Sequence, residues 1–177
     1  MAELTLDVAR KILDAALAKG VEKKLKPLVI TILDARGCVK VTAAQDGTSL
    51  MRAEIAHGKA YGALAMGMGS RALFQRAQEQ AYFVSAVNTM AQGRLVPVPG
   101  GVLIQGDGGL LGAVGVGAGR GAEGLDEPAD VVHEIPGRVQ PEEEDRGRGD
   151  GVVAVHPVYP SRRPVERIGV SFMHGTR

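Results

Sequence analysis

Between residues 57 and 101 the chain carries a small set of side chains suited to holding a metal, a flat ring or an acid. His57, Lys59 and Tyr61 stand within five residues, Met66 and Met68 follow, and Arg94 and the pair Gly100-Gly101 come later. Imidazole is the most versatile of these ligands, and the other three histidines, His133, His156 and His174, lie beyond Val116 without regular metal spacing. His57 is therefore the candidate metal ligand, with a surface or interface histidine as the alternative reading. Met66 and Met68 offer a thioether ligand, a soft wall for a flat ligand, or filler for irregular packing. Gly100-Gly101 and Gly67-Met68-Gly69 can turn backbone N–H groups toward a carboxylate, with Lys59, Arg71 or Arg94 supplying the charge; the same glycines also serve as plain turn residues.

Other chemistries find little support. No carboxylate pair, nucleophile triad or multi-ligand metal cluster stands out. The single Cys38 excludes an internal disulfide, and it reads as a small buried hydrophobe opening a strand. No phosphate-loop lysine follows the glycine runs, which argues against a nucleotide site. Tryptophan is absent and aromatics make up 3% of the 177 residues, so stacking platforms for single-stranded nucleic acid are not expected. The net charge is +1, with 13 Lys/Arg against 9 Asp/Glu up to Val116 and 8 against 11 beyond it, so no polyanionic partner is indicated. Met1 leads directly into a charged amphipathic segment, and no apolar run is long enough to span a bilayer. A cytoplasmic protein with neither a nucleic-acid nor a membrane partner is the expectation.

These residues need elements to position them. Leu6, Ala9, Ile12, Leu13, Ala16 and Leu17 recur at helical spacing, which predicts a helix from Leu6 to Lys19, capped by Thr5 and stopped by Gly20. Leu28 to Leu33 is rich in β-branched residues and nearly continuous in apolarity, Asp34-Ala35-Arg36-Gly37 is a turn, and Cys38 to Ala43 alternates: two strands of a hairpin. A helix from Leu50 to Met66 follows, carrying His57, Lys59 and Tyr61, with Ala56, Ala60 and Ala63 small enough for close approach to a partner. Gly67-Met68-Gly69 ends it, Ser70 caps a further helical stretch through Ala77, and Tyr82 to Met90 forms another short helix. Val96-Pro97-Val98-Pro99 is stiff and extended, and Val102 to Gln105 and Leu110 to Val116 make a second hairpin around Gly106-Asp107-Gly108-Gly109. Gly112 and Gly115 leave room against the sheet for a helix or a ligand. The order predicts an α+β domain with an antiparallel sheet.

Several of these stretches together resemble one family. Leu33-Asp34-Ala35-x-Gly37, Glu54 to Leu64 (EIAHGKAYGAL), Met66-Gly67-Met68-Gly69-Ser70-Arg71, and Gly93 to Ile104 (GRLVPVPGGVLI) running into Gly112 to Val116 are similar to the GlcG/HbpS-like haem-binding family, which includes the C-terminal domain of PduO. The resemblance spans Leu4 to Val116. It implies a profilin-like, five-stranded antiparallel sheet flanked by helices, assembly into homo-oligomers and, in some members, binding of haem or a corrinoid-related ligand. Haem ligation differs among members, so His57 as axial ligand rests on chemistry rather than on the resemblance. A second function it suggests is an accessory protein or enzyme acting on a small carboxylate in glycolate- or diol-type utilisation, held by Lys59, Arg94 and Gly100-Gly101.

Past Val116 the family pattern of an acidic turn and an alanine-rich closing helix is not found. Six of the nine prolines lie there, with no lysine and one leucine, Leu125, and Glu142 to Gly149 is a charge run. Residues 117–177 are therefore expected to form an irregular Gly/Pro/Arg-rich tail appended to a domain of residues 1–116, through a shift of reading frame near Val116 or as a lineage-specific extension.

Overall fold

The computed structural model describes residues 3–106 and 109–118; the expectations for the tail beyond Ala118, and for Asp107 and Gly108 in the second hairpin turn, concern residues outside that set. The elements run α1 (Leu6–Glu22), β1 (Leu28–Asp34), β2 (Val39–Ala44), α2 (Arg52–Met66), α3 (Ser70–Glu79), α4 (Ala81–Met90), β3 (Gly101–Gly106) and β4 (Gly109–Ala118). All strand pairings are antiparallel in the order β2-β1-β4-β3, so the described residues contain four of the five strands that the resemblance implies.

The period of two along each strand divides the core between the two faces of the sheet. Ile30 and Ile32 of β1, Val102 and Ile104 of β3 and Val114 and Val116 of β4 join Ala9, Leu13 and Ala16 of α1 in one buried cluster. On the opposite face Leu33, Leu103 and Ala113 meet Ala60 and Ala63 of α2. β1 is buried along its whole length, which accounts for its unbroken apolar sequence. Leu73, Val84 and Leu95 form a third cluster that holds α3 and α4 to the segment leading into β3.

The approach of α2 to β4 is close enough to dictate residue type. A Cβ at Gly115 would overlap the carbonyl of Ala56, and one at Gly117 would lie 2.8 Å from the carbonyl of Arg52. The space these glycines leave is filled by the backbone of α2. For Gly115 this is the helix alternative of the sequence reading, whereas a Cβ at Gly112 would overlap the carbonyl of Leu33 on the neighbouring strand β1.

Three sequence expectations need correction. Gly20 does not end α1, which continues to Glu22; a Cβ there would lie 2.5 Å from Leu28 Cδ1, so this glycine serves packing against β1 rather than a cap. Cys38 is exposed and precedes β2 instead of opening it as a buried residue. Its backbone is what the turn uses: its N–H donates to Asp34 Oδ1 (3.0 Å) and its carbonyl accepts from Asp34 N (2.9 Å). Ser70 is not the cap of α3, a place taken by Gly69. It is fully buried, and its Oγ accepts from Gly101 N at 2.6 Å. Thr5 caps α1 as expected, its Oγ1 accepting from Val8 N at 3.3 Å. Among the described residues no helix is long and apolar enough to cross a membrane.

Candidate functional site

α2 distributes its polar side chains around the helix, and so divides the sequence-predicted residues among separate environments. Successive residues are rotated by about 100°, so Lys59 and His57 cannot face the same way. Lys59 is 7% exposed and points along the sheet-facing side, where Nζ donates to the carbonyl of Val116 at 2.8 Å. The neighbouring Gly100 has φ 117° and would carry a Cβ 3.0 Å from that Nζ, so it is a glycine on both conformational and steric grounds. Burial, helped by the nearby charge of Arg52, pushes the Lys59 ammonium down to about 8 from its ordinary 10.5.

His57 is half-buried and emerges on the other side of the helix. Its ring stacks on Tyr61 one turn later, with centroids 6.2 Å apart and planes inclined by 15°. The Arg94 guanidinium lies over the same Tyr61 ring at 4.6 Å. Tyr61 thus holds together the imidazole and the cation. Beside them opens a cleft of about 480 Å³ whose wall includes His57, Glu54 and Ile55 of α2, Thr31 and Thr42 of the sheet, and Gly93, Arg94 and Val96.

Arg94 reaches this place through the backbone ahead of it. Gln92 and Gly93 follow α4 with φ 56° and 76°, and this pair of left-handed residues turns the chain back over α2. Asn88 fixes the turn, accepting from Gly93 N at its carbonyl (2.8 Å) and from Leu95 N at Oδ1 (3.1 Å). The segment then docks on the helix by a hydrogen bond from Val96 N to the carbonyl of Gly58 (3.1 Å). Gly58 makes the docking possible, because a Cβ on it would sit 2.5 Å from Val96 Cγ2 and 3.1 Å from the Arg94 carbonyl.

The structure therefore brings together His57, Tyr61 and Arg94. Lys59, Gly100 and Gly101 lie apart from them in a buried cluster with Ser70, where the Gly101 N–H is occupied by Ser70 Oγ. Met66 and Met68 pack against the Leu73, Val84 and Leu95 cluster, and the N–H groups of Gly67 and Met68 donate to Leu64 and Ala63 at the end of α2. Glu54, Gly58 and the Thr31–Thr42 pair, whose hydroxyls are 3.1 Å apart, were not singled out from the sequence. Gly58 did leave a signal there: glycine inside a helix costs about 1 kcal/mol relative to alanine, and so marks a place where another backbone comes close.

A flat metallated ring would find in this cleft what it needs: an imidazole at the wall, apolar side chains from Val96 and Ile55, and one cation at the rim. Among the described residues no group of three or more His, Cys, Asp or Glu side chains could hold a bare metal ion. The donor set suits an iron that brings most of its ligands with it.

Comparison with solved structures supports the fold. The structure of a PduOC:haem complex is similar at 26% sequence identity with a TM-score of 0.65, covering 75% of this chain and 91% of that one. The Klebsiella pneumoniae protein ORFY is similar at 21% identity and TM-score 0.64, with 75% and 90% covered, and a double mutant of Streptomyces reticuli HbpS at 20% and 0.61, with 75% and 86% covered. None of the curated proteins matches the chain. A family model described as "Haem degrading protein HbpS-like" matches residues 4–126, and with the sheet, the α2 register and the glycine contacts already in place, the chain belongs to that HbpS-like family.

Proposed function

We propose that this protein binds haem or a related tetrapyrrole and works as a homo-oligomer, with His57 as the axial ligand. The observation that carries the reading is the placement of His57: half-buried, stacked on Tyr61, and on the wall of a cleft large enough for much of a porphyrin. Membership of a family described by haem degradation, and the likeness to a structure solved with haem, agree with that chemistry. The other reading, a small carboxylate held jointly by Lys59, Arg94 and Gly100-Gly101, asks for three groups to converge, and of these only Arg94 lines the cleft. Titration of the purified protein with haemin tests the proposal. A saturable Soret band is expected, and a spectrum equal to the sum of free haemin and protein removes it.

A further inference from the structure

We infer that Arg94 selects among flat ligands for those bearing a carboxylate arm, acting as the specificity determinant at the rim of the His57 cleft. The inference rests on the proposed function and goes further by naming which arm of the ligand is read and by which group. Its basis is the way the guanidinium is held. Nε donates to the carbonyl of Ala91 at 3.0 Å and the planar face lies on Tyr61, so the guanidinium is held at one edge and across one face. Neither anchor uses the terminal Nη groups, and the described residues supply no carboxylate within ion-pair distance of them. Arg94 lines the cleft that His57 lines. A guanidinium preorganised in this way presents a fork to an incoming carboxylate without first paying the entropy of ordering a long side chain.

The same wall carries a second, opposing element. Glu54 lines the cleft from α2, and the described residues give its carboxylate no basic partner. A ligand must therefore approach with its acid toward Arg94 and its uncharged edge toward Glu54, since the reverse orientation places like charges together. Thr31 and Thr42, whose hydroxyls bond one another, close the sheet side with neutral groups. The pair Arg94 and Glu54 gives the cleft a polarity that an ester or an unsubstituted porphyrin cannot exploit.

The experiment compares haemin with its dimethyl ester at matched detergent and low salt, in the parent protein, Arg94→Ala and Arg94→Lys. Arg94 is exposed, so its fold-change is modest: the parent should bind haemin about three- to tenfold more tightly than the ester, and added salt should narrow the gap. Arg94→Ala should abolish the preference by weakening haemin alone, and Arg94→Lys should restore part of it, which a purely structural role for the arginine would not do. Equal affinities in the parent, or a preference that survives Arg94→Ala, overturn the inference while leaving haem binding intact. Absence of any Soret change with haemin overturns both.

Discussion

Lys59 buries an ammonium whose only protein hydrogen-bond partner among the described residues is the carbonyl of Val116, and stability should register the cost. Its proton is held to about 8 in the folded chain and to about 10.5 in the unfolded one, so between those values the unfolded state binds more protons. Stability from this group should therefore rise as pH climbs through that window and be lowest below 8, by up to about 3 kcal/mol. Comparison of denaturant midpoints at pH 7.5 and 10 for the parent and Lys59→Met checks this: the parent should gain on the variant at the higher pH, and parallel profiles would rule it out. At His57 the expectation is spectroscopic. His57→Ala should remove or strongly shift the Soret band of the haemin complex and leave the circular dichroism unchanged, since a half-buried helical histidine adds little to stability. An unaltered band clears His57 of ligation.

At the scale of the element, α2 is a helix whose two sides obey different rules. Its sheet side is fixed by backbone contact with β4, so Gly115→Ala should cost at least 2 to 3 kcal/mol, roughly, because the new methyl meets the Ala56 carbonyl and no side chain can yield. A thermal melt within a degree of the parent would contradict this. On the opposite side Gly58→Ala sets two effects against each other. Helix propensity gains about 1 kcal/mol, while displacing Val96 and the Arg94 backbone costs about 1 to 3 kcal/mol. The net loss of stability should be small, yet haemin affinity should fall toward that of Arg94→Ala; unchanged affinity would show that the docking does not position the arginine. The helix itself was legible in the sequence through its alanines and the glycine stop at Gly67, and the strands through their β-branched runs. What the sequence hid was rotational phase: His57, Lys59 and Tyr61 look like one constellation on paper, but a 100° turn per residue sends Lys59 to the core, His57 to the cleft wall and Tyr61 beside it, beneath the Arg94 guanidinium. Gly20 and Ser70 misled for a related reason, since each has a residue type common at helix ends and is used instead for a contact distant in sequence.

For the whole molecule, the outer side of α4 leaves Tyr82 and Met90 largely exposed, at 78% and 83%, on a helix without a charged residue. Such a surface accords with the proposed homo-oligomer. Light scattering of the purified 18.5 kDa chain should give a multiple of that mass at micromolar concentration, and a monomer would remove oligomerisation from the reading. Thr42 and Glu54 were beyond the reach of the sequence, because nothing local distinguishes a threonine or glutamate that lines a cleft from any other exposed one; only the pairing of β2 with β1 and the course of α2 bring them together.

The glycine contacts between β4 and α2 also bear on how such a protein can change over evolutionary time. With a helix carbonyl seated against Gly115, α2 has almost no freedom to slide or roll, so its register is inherited as a unit. Positions 54 and 57, which line the cleft and are not among the buried residues of the helix, are free to be exchanged one at a time. New ligand preferences can then arise by single substitutions on a scaffold that does not move, and a library randomised at these two sites should yield folded variants far more often than one randomised at 115 and 117.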